Sequence, residues 1–292
     1  LLGCLHEPKY VSDWGWSVTR GMIRCPYLGN SGRLGNQLWQ IAGTIGIAAA
    51  TDKDFCFPEW AYERYFSVSS DWFLPQEALY GEDVSIFARQ IDQRAKVYLQ
   101  DYGLWREVRE QVYEVLQPTL EAKAELASPK YEQYYLLPHP LLVIHVRRGD
   151  NATAHLRNED GHHPLRPMSY YREAIELQEY RSIAIFSDDL PWCRDAFQDI
   201  DAYFFEGGSA RPKEHEPEYA TAPVEDWIDL IAMENADSFI MSNSSYSWWG
   251  AFLSGSEGKN IIYPWPFFGP KLDYLDASIM FPEDWRKLPH VI

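Results

Sequence analysis

The sequence predicts an α/β protein built as two halves facing a cleft. Two observations carry this reading. Short apolar runs alternate with segments of helical periodicity, and polar or glycine-rich clusters fall where the runs end, the place at which open parallel sheets bind ligands. At 292 residues the chain can hold one large or two medium domains without covalent staples. The halves are expected over residues 1–137 and 138–292, joined through LASPKYEQYYLLPHP (126–140). There is no internal repeat and no low-complexity segment.

The elements follow in order. MIRC (22–25) reads as a short strand and LGNSGRLG (28–35) as a glycine-rich turn. Apolar residues then fall at 38, 41, 42, 45, 48 and 49, one face of a helix, with Asn36 placed to cap it. Residues 51–100 are less regular and rich in aromatics. WREVREQVYEVLQP (105–118) has amphipathic spacing and stops at Pro118. LLVIHV (141–146), bounded by prolines and by RRGD, fits a buried parallel strand. SYYREAIEL (169–177) reads as a helix opened by Ser169, and RSIAIFSDD (181–189) as a strand ending in polar residues. WIDLIAMENADSF (227–239) reads as a helix, and IMSNSSYSWWGAFL (240–253) as a short strand, a Ser/Asn turn and a helix. IIYPWP (261–266) is the last strand expected.

Composition narrows the function. A formal charge of −17 argues against a broad nucleic-acid or anionic-membrane surface, because either needs a basic face, yet a local basic pocket can still hold a small anion. No apolar stretch approaches the roughly 20 residues of a membrane span, and no signal-peptide pattern opens the chain. The 12 Trp and 19 Tyr are many for this length; such rings often face sugars, but core packing is their ordinary role. Cys4, Cys25, Cys56 and Cys193 show no metal-ligand spacing and read as free buried thiols, with a Cys4–Cys25 bridge as the alternative in a secreted protein.

The candidate chemistry sits at the strand ends. HVRRGD (145–150) places two guanidiniums where a buried strand stops, and their planar forks suit a diphosphate. An ion pair of Arg147 or Arg148 with Asp150 is the plainer alternative. On extended chain His145 and Arg147 share a face and Arg148 points away, so Arg147 is the ligand candidate and Arg148 the structural one. By the same alternation Asp188 and Asp189 of FSDD cannot flank one glycosidic bond: one is expected to cap the next helix and the other to reach the cleft. SNSSYSWWGAFL (242–253) sets hydroxyls before a helix whose N-terminal N–H groups suit phosphate, with Trp248 and Trp249 read as packing. GNSGRLGNQ (29–37) carries Arg33 and Asn36 but matches neither GxGxxG nor the P-loop. Asp199 and Asp201 imitate a metal-binding Asp-x-Asp and read better as a solvated loop. NAT (151–153) and NSS (243–245) are glycosylation sequons inside the candidate site, where no glycan is expected.

In order, GRLGNQLWQIAG, VYLQDYGLWREVREQV, IHVRRGD, MSYYREAI, FSDDLPWCRDAF, SNSSYSWWGAFL and IIYPWPFF resemble the α-1,2-fucosyltransferase family, glycosyltransferase family 11, over residues 32 to about 268. The first arginine motif is shared more distantly with α-1,6- and protein O-fucosyltransferases. The resemblance implies a GT-B-like fold of two Rossmann-like halves, with GDP-fucose bound by residues 138–292 and the acceptor side in residues 1–137. It implies an inverting, metal-independent transfer of fucose from GDP-β-L-fucose to a hydroxyl, usually the 2-OH of a galactoside, with no cofactor. Carried onto this sequence, Arg147 holds the β-phosphate and stabilises the leaving group, and His145 lies against the nucleoside. Ser244 and Ser245 donate to the diphosphate, Arg33 and Asn36 reach the nucleotide sugar, and Asp188 belongs to the donor site. Asp229, eight residues before Asp237, matches the spacing of a guanine-binding Asp in α-1,6-fucosyltransferases. Asp150, then His155, are the candidates for the base that takes the acceptor proton, with a donor phosphate oxygen as a third. NATAHLRNEDGHH, after RRGD, departs from the family pattern and leaves acceptor choice open.

The partners implied are GDP-fucose and a galactose-containing glycan, with no nucleic acid. A bacterial-type cytoplasmic or peripheral membrane location is expected, with the Golgi lumen as the alternative if an anchor precedes this chain. Two other readings stand beside this one: a metal-dependent glycosyltransferase built on Asp199 and Asp201, and a non-catalytic glycan-binding protein using its many Trp and Tyr.

Overall fold

The computed structural model describes residues 21–91, 97–149, 151–152, 161–208, 225–255 and 258–290. The first half opens with β1 (Met22–Arg24) and, after a turn, α1 (Leu34–Thr51). β2 (Asp54–Pro58), β3 (Phe73–Leu74) and β4 (Glu82–Asp83) complete a parallel sheet in the order β3-β2-β1-β4. Helix α1 starts earlier than its apolar spacing suggests. Arg33, in extended backbone, is the cap, and Asn36 lies in the first turn. Gly32 makes this start possible. Its φ of +79° is left-handed, and a Cβ there would sit 2.5 Å from Cβ of Asn36.

The expected helix over 105–118 is shorter, a 3₁₀ turn at Arg106–Val108 followed by α2 (Arg109–Val115). α3 (Leu120–Leu126), capped by the Thr119 side chain, and α4 (Glu132–Tyr135) come next. This connecting region packs on the second half: Tyr134 donates its hydroxyl to the Ala232 carbonyl at 2.6 Å and sets its ring against Phe186 and Phe205.

The second half is a six-stranded parallel sheet made of β5 (Leu141–Val146), β6 (Ser182–Ser187), β7 (Tyr203–Phe204), β8 (Ser238–Ile240), β9 (Ile261–Trp265) and β10 (Arg286–Pro289). Its order is β10-β9-β8-β5-β6-β7. Counted from β5 this is the 3-2-1-4-5-6 order of a dinucleotide-binding sheet, whose switch point, here between β5 and β8, opens the ligand crevice. The fold is therefore α/β and GT-B-like, two Rossmann-like halves facing a cleft. Helices α5 (Met168–Glu176), α6 (Leu190–Ala196), α7 (Asp226–Ala232) and α8 (Ser245–Leu253) accompany the sheet.

Three sequence expectations shift. α5 begins at Met168 behind Pro167, and the Ser169 hydroxyl instead meets His290 Nε2 at 2.8 Å. α7 ends at Ala232 and a 3₁₀ turn at Met233–Asn235 follows, so Ser238 and Phe239 belong to β8; no glycine or proline in 233–237 marks where helix becomes strand. β10 was not expected, because four residues with a terminal proline have too little alternation to register, yet Arg286–Pro289 pairs along β9.

The halves meet along α1 and α8. A Cβ on Gly35 would lie 2.5 Å from the Tyr246 nitrogen, so only glycine admits this approach. Behind that contact lies an aromatic core. Trp39 sits 4.4 Å from Trp248 between ring centroids, and Trp105 stacks on Trp249 at 5.8 Å. All four are at most 1% exposed, so these tryptophans, Trp248 and Trp249 included, are packing rather than sugar platforms. Cys25, Cys56 and Cys193 are free and buried, and burial pushes Cys25 and Cys193 up to about 12, which leaves them unreactive thiols. Cys4 lies outside the described residues. Among the described residues, no helix is long and apolar enough to cross a membrane.

Candidate functional site

A cavity of about 390 Å³ opens between the halves. One wall is the glycine turn and the start of α1, with Gly32, Arg33, Gly35 and Asn36, and the segment Tyr98–Asp101. The other wall comes from the ends of β5, β6 and β8, with His145, Arg147, Asp188 and Asn243–Tyr246. The Rossmann switch point and the glycine turn thus face one space.

The arginines of HVRRGD separate as alternation requires. Arg147 lines the cavity, its Nη1 on Asp188 Oδ2 at 2.5 Å. Arg148 turns away, its Nε on Asp189 Oδ2 at 3.0 Å and its guanidinium 3.9 Å above the Trp192 ring. The two aspartates separate as well. Asp189 accepts the Trp192 N–H at 3.2 Å and caps α6. Asp188 faces the cavity and accepts the Arg148 N–H at 2.9 Å. Asp188 is thereby fixed by backbone and holds Arg147 in turn. Gly149 is part of this device: a Cβ there would lie 2.3 Å from Asp188 Oδ2.

His145 is 4% exposed, with Nδ1 on the Ser242 hydroxyl at 3.1 Å. Burial pulls it down to about 4; Asp188 raises it by less, and Arg147 lowers it further. It is neutral at pH 7, a hydrogen-bonding group and not a counter-ion.

The Ser/Asn cluster divides its work. Ser244 caps α8 by accepting the Tyr246 N–H at 3.2 Å. Ser245 donates to Asn36 Oδ1 at 2.7 Å, and Gln100 donates to the same oxygen at 2.8 Å. Asn36 is thus a tie between the halves rather than a helix cap. Leu99 supports it from a left-handed backbone (φ +54°) just before Gln100. Asn243 is buried and bonded through its amide, so the second sequon is closed to glycan.

Not every candidate reaches the cavity. Asp229, on α7, is 1% exposed and does not line it; its carboxylate lies so near Gly207 that a Cβ there would fall 1.5 Å from Oδ1. Asp226, one turn earlier, lines it and accepts the Tyr62 hydroxyl at 3.0 Å. Sequence reading missed Asp226, although the i, i+3 relation to Asp229 offered a signal. It also missed Asn243, although that residue stands in the Ser/Asn turn, and Tyr98, Gln100 and Asp101, although they stand in VYLQDYGLWREVREQV; the buried Asp101 pairs with the exposed Arg89 at 3.2 Å. Asp150 and His155 lie outside the described residues. Asp199 forms an ion pair with Arg172 at 2.8 Å on the surface. Among the described residues, no group of three or more His, Cys, Asp or Glu is placed to hold a metal.

An anion entering this cavity meets the Arg147 guanidinium, Arg33 and the N-terminus of α8, the donors suited to phosphate. Two Rossmann-like halves around such a cleft define the class. The chain belongs to glycosyltransferase family 11, whose family model matches residues 49–267. It is 33% identical over 129 residues to the O-antigen biosynthesis glycosyltransferase WbnK of Escherichia coli, covering 43% of this chain and 38% of that protein. It is 29% identical over 156 residues to an alpha-1,2-colitosyltransferase of Escherichia coli, covering 50% of this chain and 46% of that protein. The chain thus matches less than half the length of either relative. Among solved structures it is similar to a Bradyrhizobium fucosyltransferase NodZ, with 14% identity, a TM-score of 0.49 and coverage of 81% and 94% of the two chains. It is also similar to apo POFUT1, with 12% identity, a TM-score of 0.49 and coverage of 86% and 99%.

Proposed function

We propose that this protein transfers L-fucose from GDP-β-L-fucose to the 2-hydroxyl of a galactoside, inverting the anomeric centre and using no metal ion. The observation that carries the proposal is the position of Arg147 at the Rossmann switch point, held by Asp188 and lining the same cavity as the N-terminus of α8. Breaking the sugar–phosphate bond gives the sugar oxocarbenium character and pushes negative charge onto GDP. Arg147 and the α8 N–H groups are preorganised to take that charge, and losing one such donor costs on the order of 10²–10³ in rate. Donors of this kind do the work that a metal ion does elsewhere.

The acceptor oxygen attacks from the face opposite the phosphate, which turns a β donor into an α product. Its proton passes to a base, for which Asp150 ranks before His155. His145 is unsuited: burial pulls it down to about 4, too weak a base for a hydroxyl proton, and its Nδ1 is engaged by Ser242. Membership of family 11 supports sugar transfer, and the relative named as an alpha-1,2-colitosyltransferase supports the α-1,2 linkage.

The test is transfer from GDP-fucose to a β-galactoside in EDTA, with the product linkage read by NMR. An α-1,2-fucosylated product is expected. Another linkage would overturn the acceptor reading. Transfer that appears only on adding manganese would favour the metal-dependent alternative.

A further inference from the structure

Arg166 is 4% exposed, and its Nε and Nη2 donate to the Asn243 side-chain oxygen and the Pro266 carbonyl. Both acceptors are neutral. Among the described residues, Arg166 makes no ion pair with a carboxylate, and its Nη1 has no hydrogen-bond partner. The Tyr170 ring lies 6.0 Å from its guanidinium carbon, and the Tyr170 hydroxyl donates to the Met241 carbonyl at 2.7 Å. A guanidinium buried without a counter-charge is a burden on an empty protein and persists only where something compensates it.

Its surroundings show where compensation comes from. Asn243 donates to the Pro266 and Phe267 carbonyls at 3.1 and 2.5 Å, so Arg166 and Asn243 together staple the loop after β8 to the loop after β9. Asn243, Ser244, Ser245 and Phe267 all line the cavity. Arg166 therefore stands one residue behind the wall that receives an anion, on the side opposite Arg33.

We propose that Arg166 is a positioning residue of the donor site: it fixes Asn243 and the Pro266–Phe267 turn, and its buried charge is balanced by the diphosphate of the bound nucleotide. This rests on the GDP-sugar reading of the cavity. Burial pulls Arg166 down only to about 10, so it carries its charge at neutral pH. Because the charge is shielded from solvent, salt screens its field at the diphosphate weakly.

The test is calorimetric titration of GDP and of guanosine into wild type, Arg166→Gln and Arg166→Lys. Gln can still donate to a carbonyl but has no charge; Lys keeps the charge and loses the fork. GDP affinity is expected to fall on the order of tenfold or more in Arg166→Gln, with guanosine affinity unchanged, and to recover at least in part in Arg166→Lys. Equal losses for GDP and guanosine would make Arg166 a scaffold only and overturn the proposal. Undiminished GDP affinity in Arg166→Gln would overturn it as well. So would failure of Arg166→Gln to fold, since a charge held for a ligand should not be what the empty protein needs. Wild type that binds no GDP would instead overturn the donor reading beneath it.

Discussion

Gly35→Ala sets two effects of opposite sign against each other. In an ordinary helix alanine is favoured over glycine by up to about 1 kcal/mol. Here the added Cβ would lie 2.5 Å from the Tyr246 nitrogen, 2.7 Å from its Cα and 2.9 Å from the Ser245 carbonyl carbon. All three are main-chain atoms at the start of α8, so no side chain can rotate away. The helices must separate by several tenths of an ångström, against the packed Trp39, Trp248 and Trp249. Overpacking of this kind costs about 1–3 kcal/mol, and with main chain on both sides the upper end applies, leaving a net loss of about 2 kcal/mol. The same separation stretches the Ser245–Asn36 hydrogen bond and pulls the glycine turn away from Arg147. Urea denaturation should show the lower stability, and donor affinity should fall with it. A Gly35→Ala protein as stable as wild type and equally active would refute the reading of α1 and α8 as the joint that forms the cleft.

Other outcomes follow from the same geometry. His145 has its folded pKa depressed to about 4, so below its unfolded value of about 6.5 the unfolded chain binds the extra proton. Its contribution is intact above pH 6.5 and is lost as pH falls towards 4; stability should drop by about 2 kcal/mol between pH 7 and pH 5, measured by urea titration, and less in His145→Gln. Asp188→Asn removes the charge that holds Arg147 while keeping a group of similar shape; transfer should fall by at least about tenfold, with melting temperature moving only a few degrees. Asp199→Ala breaks only a surface pair with Arg172, so transfer in EDTA should match wild type; loss of activity that manganese restores would revive the metal reading.

Much of this was legible in the sequence, for identifiable reasons. Strand alternation alone separated Arg147 from Arg148 and Asp188 from Asp189, because period-two geometry leaves no other arrangement on extended chain. Buried apolar runs marked β5 to the residue and β6 to within two residues. Asn36 was misread for the opposite reason: a cap is a local inference, and its side chain is engaged by Gln100 and Ser245, 64 and 209 residues away. Asp229 was placed by spacing, which fixes its helix but not which turn of α7 faces the cavity, and Asp226 faces it. Arg166 carried no signal, since an isolated arginine before Pro167 reads as surface until burial is seen. The short edge strands β3, β4, β7 and β10 exist through pairing to their neighbours, information that a local window does not hold.

The central claim is that Arg147 closes a metal-free site for a guanine nucleoside diphosphate. Calorimetric titration of GDP into wild type and Arg147→Ala, in EDTA and with ADP as control, tests it most directly. Wild type should bind GDP and not ADP, and a folded Arg147→Ala should lose that binding. GDP bound equally well by the mutant, or ADP bound as tightly as GDP by wild type, would contradict the account.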